Sequence, residues 1–298
     1  MGKLAVVSDL HADINRFTTE DIAQLVTVLQ EKKVDRLHFA GDLANKVERA
    51  MAIVAYFEQY FPTTFNWGNH EMADLAPEQI EDYPNPAFLN QKALALNHTT
   101  VLVGYNGWYD YRFSTLEDEE KIKAVKQLYW YDRVIKRNDS DPNVDSQLRK
   151  RLKILLDALQ KEGKQVILAT HFVPKKEFIV YQTAPKLKRW NELNAFLGSE
   201  ELGELLDRYD NIKQVVFGHT HRRFDDQKIK GTWYSCHPFG YFFEWQLTRN
   251  FVLENKLVEE YNPMKLRGIL KAHEAQFKDY QKQHLKSEFE QALTIIDY

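Results

Sequence analysis

The sequence predicts an α/β protein, on two observations. Short apolar runs alternate with longer amphipathic stretches, and five of six strand-like runs end at a group of carboxylate, amide or imidazole side chains. The strand-like runs cover 4–8, 36–40, 64–67, 100–105, 166–170 and 214–217. Between the first of them lie helical patterns over 19–32, where Thr18 and Asp21 resemble a capping box, and over 47–60, which stops before Pro62. Past Phe224 the pattern changes to alternation punctuated by Gly231 and Gly240. This predicts hairpins carrying 228–229, 232–235 and 241–247, and with them a second, mostly antiparallel sheet.

Two stretches look added to this core. Charged, helix-patterned segments over 116–135 and 144–161, separated by the turn-rich 138–143, suggest a helical insertion over about 112–162. The tail carries Phe277, Tyr280, Leu285, Phe289, Leu293 and Ile296 at roughly helical spacing. That stripe suits packing on the parent domain better than a homo-oligomer contact through the C-terminal helix. The expected organisation is a catalytic domain over 1–248 with a C-terminal helical extension over 249–298.

Composition sets outer bounds. The 298 residues are 44% hydrophobic and 28% charged, enough apolar content for a sizeable core. A net charge of −3 provides no global attraction to nucleic acid or to anionic membranes, so phosphate affinity must be local. Cys236 is the single cysteine, which excludes an internal disulfide. The apolar run Leu4-Ala5-Val6-Val7 is too short for a signal sequence, and no stretch approaches the ~20 apolar residues of a membrane span. A cytoplasmic protein is the expectation.

The groups at the strand ends carry the chemistry: Asp9-Leu10-His11, Gly41-Asp42, Gly68-Asn69-His70-Glu71, His171, and Gly218-His219-Thr220-His221. Singly, each has an ordinary explanation, Gly-Asp as a turn and a lone histidine as a hydrogen-bonding group. Jointly, carboxylate, imidazole and amide oxygen at five strand ends are the donors for divalent ions such as Mn, Fe, Zn, Co or Ni. Asp42, with two oxygens, can bridge two cations. His221, two residues beyond His219, would turn toward the other ion. His38, His98, His237, His273 and His284 fit none of these groups.

The order D-x-H, G-D, G-N-H-[DE], H, G-H-x-H, from Asp9 to His221, resembles the calcineurin-like metallophosphoesterase superfamily, and the layout is similar to its small bacterial phosphodiesterase-type members. The resemblance implies a four-layer α/β/β/α sandwich of two mixed sheets flanked by helices. It implies two divalent metal ions, one held by Asp9, His11, Asp42 and His221 and the second by Asp42, Asn69, His171 and His219, with Mn as a supporting metal. It implies hydrolysis of a small-molecule phosphate ester, with His70 as the acid assisting the leaving oxygen. Glu71 is expected to steer a ligand or His70. The protein phosphatases of the superfamily extend the second motif to G-D-x-V-D-R-G. Here the text is Gly41-Asp42-Leu43-Ala44-Asn45-Lys46-Val47. Without that arginine a phosphodiester or nucleotide is favoured over a phosphoprotein, a small phosphomonoester is the alternative, and a non-catalytic scaffold is disfavoured because every ligand is present.

Candidate substrate contacts are Asn106, Trp108, Lys175 and Arg189. The aromatics after Asn106 either stack on a base or close the core. The basic loop holding Lys175 and Arg189 either meets a phosphate or is simply solvated. Tyr129-Trp130-Tyr131 either lines the cleft mouth or packs the insertion.

Overall fold

The computed structural model describes residues 2–298. Ten strands form two sheets: β1 Lys3–Val7, β2 Arg36–Ala40, β3 Thr63–Asn66, β4 Lys92–Ala95, β5 Thr100–Tyr105, β6 Gln165–Thr170, β7 Ile212–Phe217, β8 Phe224–Ile229, β9 Thr232–Cys236 and β10 Thr294–Asp297. The first sheet has the order β10-β1-β2-β3 and the second β4-β5-β6-β7-β9-β8. Side chains alternate across each strand, so one sequence supplies two buried faces. Leu4 and Val6 of β1 and Ile296 of β10 meet Leu102 of β5, Ile167 and Ala169 of β6 and Val216 of β7 in an apolar layer between the sheets. Their neighbours Ala5, Val7, Val101, Val103, Val166 and Leu168 face outward into the larger core beneath the helices. Strands buried on both faces read as continuous apolar runs, which is how β1, β5 and β6 appear in the sequence. The architecture is the expected four-layer sandwich.

Helix Thr19–Glu31 starts at the capping box of Thr18 and Asp21 and buries Ile22, Leu25, Val26, Val28 and Leu29. Helix Val47–Phe57 ends three residues sooner than its pattern suggested.

Four expectations change. The second sheet is mostly parallel: β5, β6, β7 and β9 run parallel, with antiparallel β4 and β8 only at its edges. The β8–β9 hairpin was visible because it is local. The pairing of β9 with β7 is not, and it sets the sheet's character. The stretch 241–247 is a turn entering helix Gln246–Glu254, since Trp245 packs on Phe17 and Phe239 with no strand beside it.

The supposed insertion is smaller than 112–162. Helix Asp141–Lys161 buries Val144, Leu148, Leu152, Leu156 and Leu159 and is the crossover that parallel β5 and β6 require. The added part is helix Glu119–Tyr129 with the short turn Tyr131–Val134.

Nor is the tail separate. The boundary expected at 248 falls inside helix Gln246–Glu254, and β10 pairs antiparallel with β1, Lys3 opposite Asp297 and Val6 opposite Thr294. Phe277, Leu285 and Phe289 of helix Glu274–Gln291 are buried, Phe289 lying 5.0 Å from the Phe239 ring and 5.6 Å from Phe17. The apolar stripe is thus covered within the chain. No helix among the described residues is long and apolar enough to cross a membrane.

Candidate metal centre

The five motifs follow β1, β2, β3, β6 and β7, and the loops past these strand ends converge on one rim. The turns are tight. Asp9, His11, Asp42, His219 and His221 all have left-handed backbones, with φ of 58°, 42°, 56°, 67° and 49°. Each such residue costs about 1 kcal/mol or more, strain that persists where surroundings dictate it and that gathers at functional sites. The motif glycines let carboxylates approach. A Cβ on Gly68 would stand 2.1 Å from Asp42 Oδ1, and one on Gly218 would stand 2.0 Å from Asp9 Oδ2.

These turns assemble two donor clusters, Asp9, His11, Asp42 and His221 in one and Asp42, His171 and His219 in the other, the ligand atoms of each lying within 4.8 Å of one another. Asp42 is common to both. Its Oδ1 accepts from the backbone N–H of His70 at 2.9 Å, whereas its buried Oδ2 has no hydrogen-bond partner and lies 3.4 Å from His171 Nε2 and 3.6 Å from His11 Nε2. An unpartnered buried carboxylate oxygen facing imidazole nitrogens is costly unless a cation meets it. The set is all nitrogen and oxygen, since buried Cys236 lies outside both clusters, and that suits divalent first-row metals.

Three of the four histidine ligands are held from behind, while the buried Nδ1 of His11 has no hydrogen-bond partner. His171 donates its Nδ1–H to the Ala40 carbonyl at 3.1 Å, His219 its Nε2–H to the Phe196 carbonyl at 3.1 Å, and His221 its Nδ1–H to Glu244 at 2.9 Å. In each case the other ring nitrogen is left for the cluster. Asn69 presents Oδ1 at 3.0 Å from His171 Nε2, joining the second cluster, and donates its Nδ2–H to Asp132 at 2.7 Å. Asp9 accepts from the His219 backbone N–H at 3.0 Å. Glu71 is fully buried and accepts from the backbone N–H groups of Asp42, Ala44 and Gly68, each at 3.0 Å. It therefore steers the ligand loops through their backbone and does not touch the His70 ring.

Burial and charge are in tension throughout. Burial holds His219 down to about 3, and burial together with His70 keeps His11 well below its usual range. Burial, the largest single influence, pulls His171 down, but Asp42 together with Asp9 and Glu71 drives it up to about 9. His221 rises against burial to about 10 through Glu244 and Asp9. Burial and Asp42 lift the Glu71 carboxyl to about 8.

His70 sits beside the clusters. Its Nδ1 is hydrogen-bonded to Asn45 Oδ1, its Nε2 lies 3.1 Å from the Tyr241 hydroxyl and 3.8 Å from Asp42 Oδ2, and its ring stacks on Tyr131 at 4.3 Å. Asn45, Asp132, Tyr241 and Glu244 are thus part of the site although no motif marks them. Their roles exist only through long-range contacts. Tyr131 was the one neighbour with a sequence hint.

Three of the four candidate substrate contacts are elsewhere engaged. Asn106 is fully buried, accepting from the Trp67 backbone N–H at 2.9 Å and donating to the Ile80 carbonyl at 2.7 Å. Trp108 is a core residue stacked on Tyr109, its Nε1–H donated to Asp141 at 2.8 Å. Lys175 is buried and bonded to Asp207 at 2.5 Å and to the Gly203 carbonyl at 3.0 Å. Only Arg189 is exposed, its guanidinium 4.4 Å above the Tyr129 ring.

With this geometry in place, the calcineurin-like phosphoesterase family model matches residues 2–223. The chain belongs to that family. No curated protein matches the sequence significantly. Among solved structures, a dimetal phosphatase from Danio rerio is similar over 80% of this chain and 87% of its own, with 14% identity and a TM-score of 0.51. A putative 5′-nucleotidase from Staphylococcus aureus, crystallised with alpha-ketoglutarate, is similar over 79% of this chain and 48% of its own, at 13% identity and TM-score 0.48. This phosphoesterase is a metal-dependent phosphoric ester hydrolase, and its two clusters joined at Asp42 form a binuclear site for divalent metal.

Proposed function

We propose that this phosphoesterase prefers phosphodiesters or nucleotides over phosphomonoesters, is supported by Mn, and works in the cytoplasm. Bound divalent ions would supply Lewis acidity and a water of lowered pKa. The chain's own residues do the rest. Asn45 fixes the His70 Nδ1–H, so the proton that His70 holds or passes is at Nε2, the atom turned toward Asp42 and Tyr241. Burial keeps His70 below its ordinary pKa against the pull of Asp42, which favours release of that proton to a leaving oxygen.

The observation that carries the diester preference is the fate of Asn45 and Lys46. Asn45 is turned onto His70, and Lys46 is committed to Asp74 at 2.5 Å on the exposed side. The ion pairs of Asp9 and Asp42 are all with histidines. A monoester brings a dianion, for which a cationic side chain at the metals gives the most help, whereas a diester brings a single charge. The single cysteine is in keeping with a reducing compartment. Rates on an aryl methyl phosphodiester and the matching aryl phosphomonoester at equal Mn loading test the reading. The diester should be cleaved at least as well, and a hundredfold monoester preference would overturn it.

A further inference from the structure

An aromatic and cationic recess with no role in the chemistry above is lined by Tyr129, two residues along the chain from the Tyr131 that stacks on His70. Tyr131, stacked on His70, is 39% exposed. Two residues earlier, Tyr129 is 47% exposed and lies with Arg189, Trp190 and Lys186 around a cavity of ≈ 590 Å³. Trp190 is 43% exposed. Tyr129 and Tyr131 are separated by roughly 7 Å of backbone at most, which ties the recess in sequence to the residue that stacks on His70. Trp130 between them points inward, 5.4 Å from Phe196 and 6.2 Å from the His219 ring, which locks the recess to the ligand loops.

The recess is built in advance. Asn191 clamps the loop ahead of it by accepting from the Gln182 backbone N–H at 2.6 Å and donating to its carbonyl at 2.9 Å. Ser114 donates to the Glu192 carbonyl at 3.0 Å. Two exposed aromatic side chains with a guanidinium over one of them are the elements that hold nucleobases, by stacking and by cation–π attraction. Lys186 and Arg189 outnumber Glu192, the one carboxylate of the lining. An isolated large apolar side chain at a surface needs no explanation, but adjacent ones at a recess mark recognition.

We propose that Tyr129, Trp190 and Arg189 form a base-binding subsite, so that the substrate is a phosphate ester carrying a nucleobase. The inference rests on the nucleotide reading above and gives it a specificity element. The test is inhibition of aryl phosphate ester hydrolysis in the Mn-loaded enzyme by AMP and by ribose 5-phosphate, which share the phosphate and differ in the base. AMP should inhibit at about tenfold lower concentration. An alternative substrate also competes, so the comparison holds whether or not AMP is cleaved. Trp190→Ala and Arg189→Ala should each erase most of that gap while leaving ribose 5-phosphate inhibition and turnover of a methyl aryl phosphodiester within twofold of wild type. Calorimetric titration of the same two compounds should show the same gap without turnover. Equal inhibition by AMP and ribose 5-phosphate in wild type, or a gap that survives both substitutions, overturns the subsite, the latter assigning the exposed aromatics to a protein contact. A failure of the diester preference would change the ratio of ester rates but not the effect of the base, and either aryl ester serves as reporter.

Discussion

Asn69 and Asp132, 63 residues apart in sequence, are joined by a 2.7 Å hydrogen bond that decides which end of the Asn69 amide faces the metal cluster. The two ends of an amide differ completely as ligands. Nδ2 must donate and cannot bind a cation, while Oδ1 can. Asp132 takes the Nδ2–H, itself fixed by the Trp130 Nε1–H at 3.0 Å, and so turns Oδ1 toward His171.

Replacing Asp132 with Ala should therefore weaken metal binding at the Asn69 cluster by about 10–100-fold, the usual range for losing such support. The cluster of Asp9, His11 and His221 should hold its ion. Calorimetric Mn titration of the metal-free protein checks this, with two unequal binding steps expected in place of near-equal ones. An unchanged titration would mean that Asn69 is oriented without Asp132.

Asp42→Ala should behave differently, because its unpartnered Oδ2 faces both clusters. Elemental analysis after gentle purification with Mn should approach two ions per chain for wild type and fall at both positions together in the variant. One ion retained at full affinity would remove the shared assignment.

The contrast between these two substitutions marks what the sequence could show. Asp42 announces itself because Gly41-Asp42 follows a strand and fits an ordered series of donors. Asp132 lies in a charged segment that resembles any solvated helix end, and only the path of the added residues over the rim brings it to Asn69. Likewise β1 and β6 were legible from apolar runs, whereas β10 looked like the last turn of a helix because its partner, β1, is nearly the full chain length away. Trp108 stays ambiguous in the sequence, between stacking on a base and closing the core, for a related reason. An aromatic just past a strand end sits at the functional edge, but which way it points depends on Asp141 and Tyr109, contacts that periodicity does not encode.

His38 gives a pH prediction independent of metal. It is fully buried, with its ring nitrogens hydrogen-bonded to Thr64 and Asn66 at 2.9 Å each, and burial pushes it down to about 4 despite the opposing Asn66 bond. The unfolded chain binds this proton near 6.5 and the folded chain only near 4, so over that interval the unfolded state carries more protons and stability rises with pH. The contribution is fully present above the unfolded value and is lost as pH drops toward the folded one. Between pH 7.5 and 5.0 the loss should be about 2 kcal/mol. Urea unfolding of metal-free wild type and His38→Gln at both pH values isolates it. The variant should be less stable at pH 7.5 but should lose about 2 kcal/mol less on acidification, and parallel losses would show that His38 does not titrate as its burial requires.

His70 separates binding from chemistry. Its ring stacks on Tyr131 and touches Asn45 and Tyr241, but it belongs to neither donor cluster, so His70→Ala should keep the fold and both ions. The backbone N–H of His70 that supports Asp42 Oδ1 survives the substitution, which protects the shared ligand. What is lost is a proton at Nε2. General acids of this kind contribute typically ~10²–10⁴ in rate, roughly 3–5 kcal/mol of barrier. That loss should be largest for alkoxide leaving groups, which depart as strong bases unless protonated. It should shrink for nitrophenolate, which departs readily as the anion. Measuring kcat/KM for wild type and His70→Ala across esters of graded leaving-group pKa should give two lines that diverge as leaving-group pKa rises. Parallel lines would mean that His70 positions the phosphate and does not deliver the proton, and the hydroxyl of Tyr241, 3.1 Å from Nε2, would then be the nearest group able to do so.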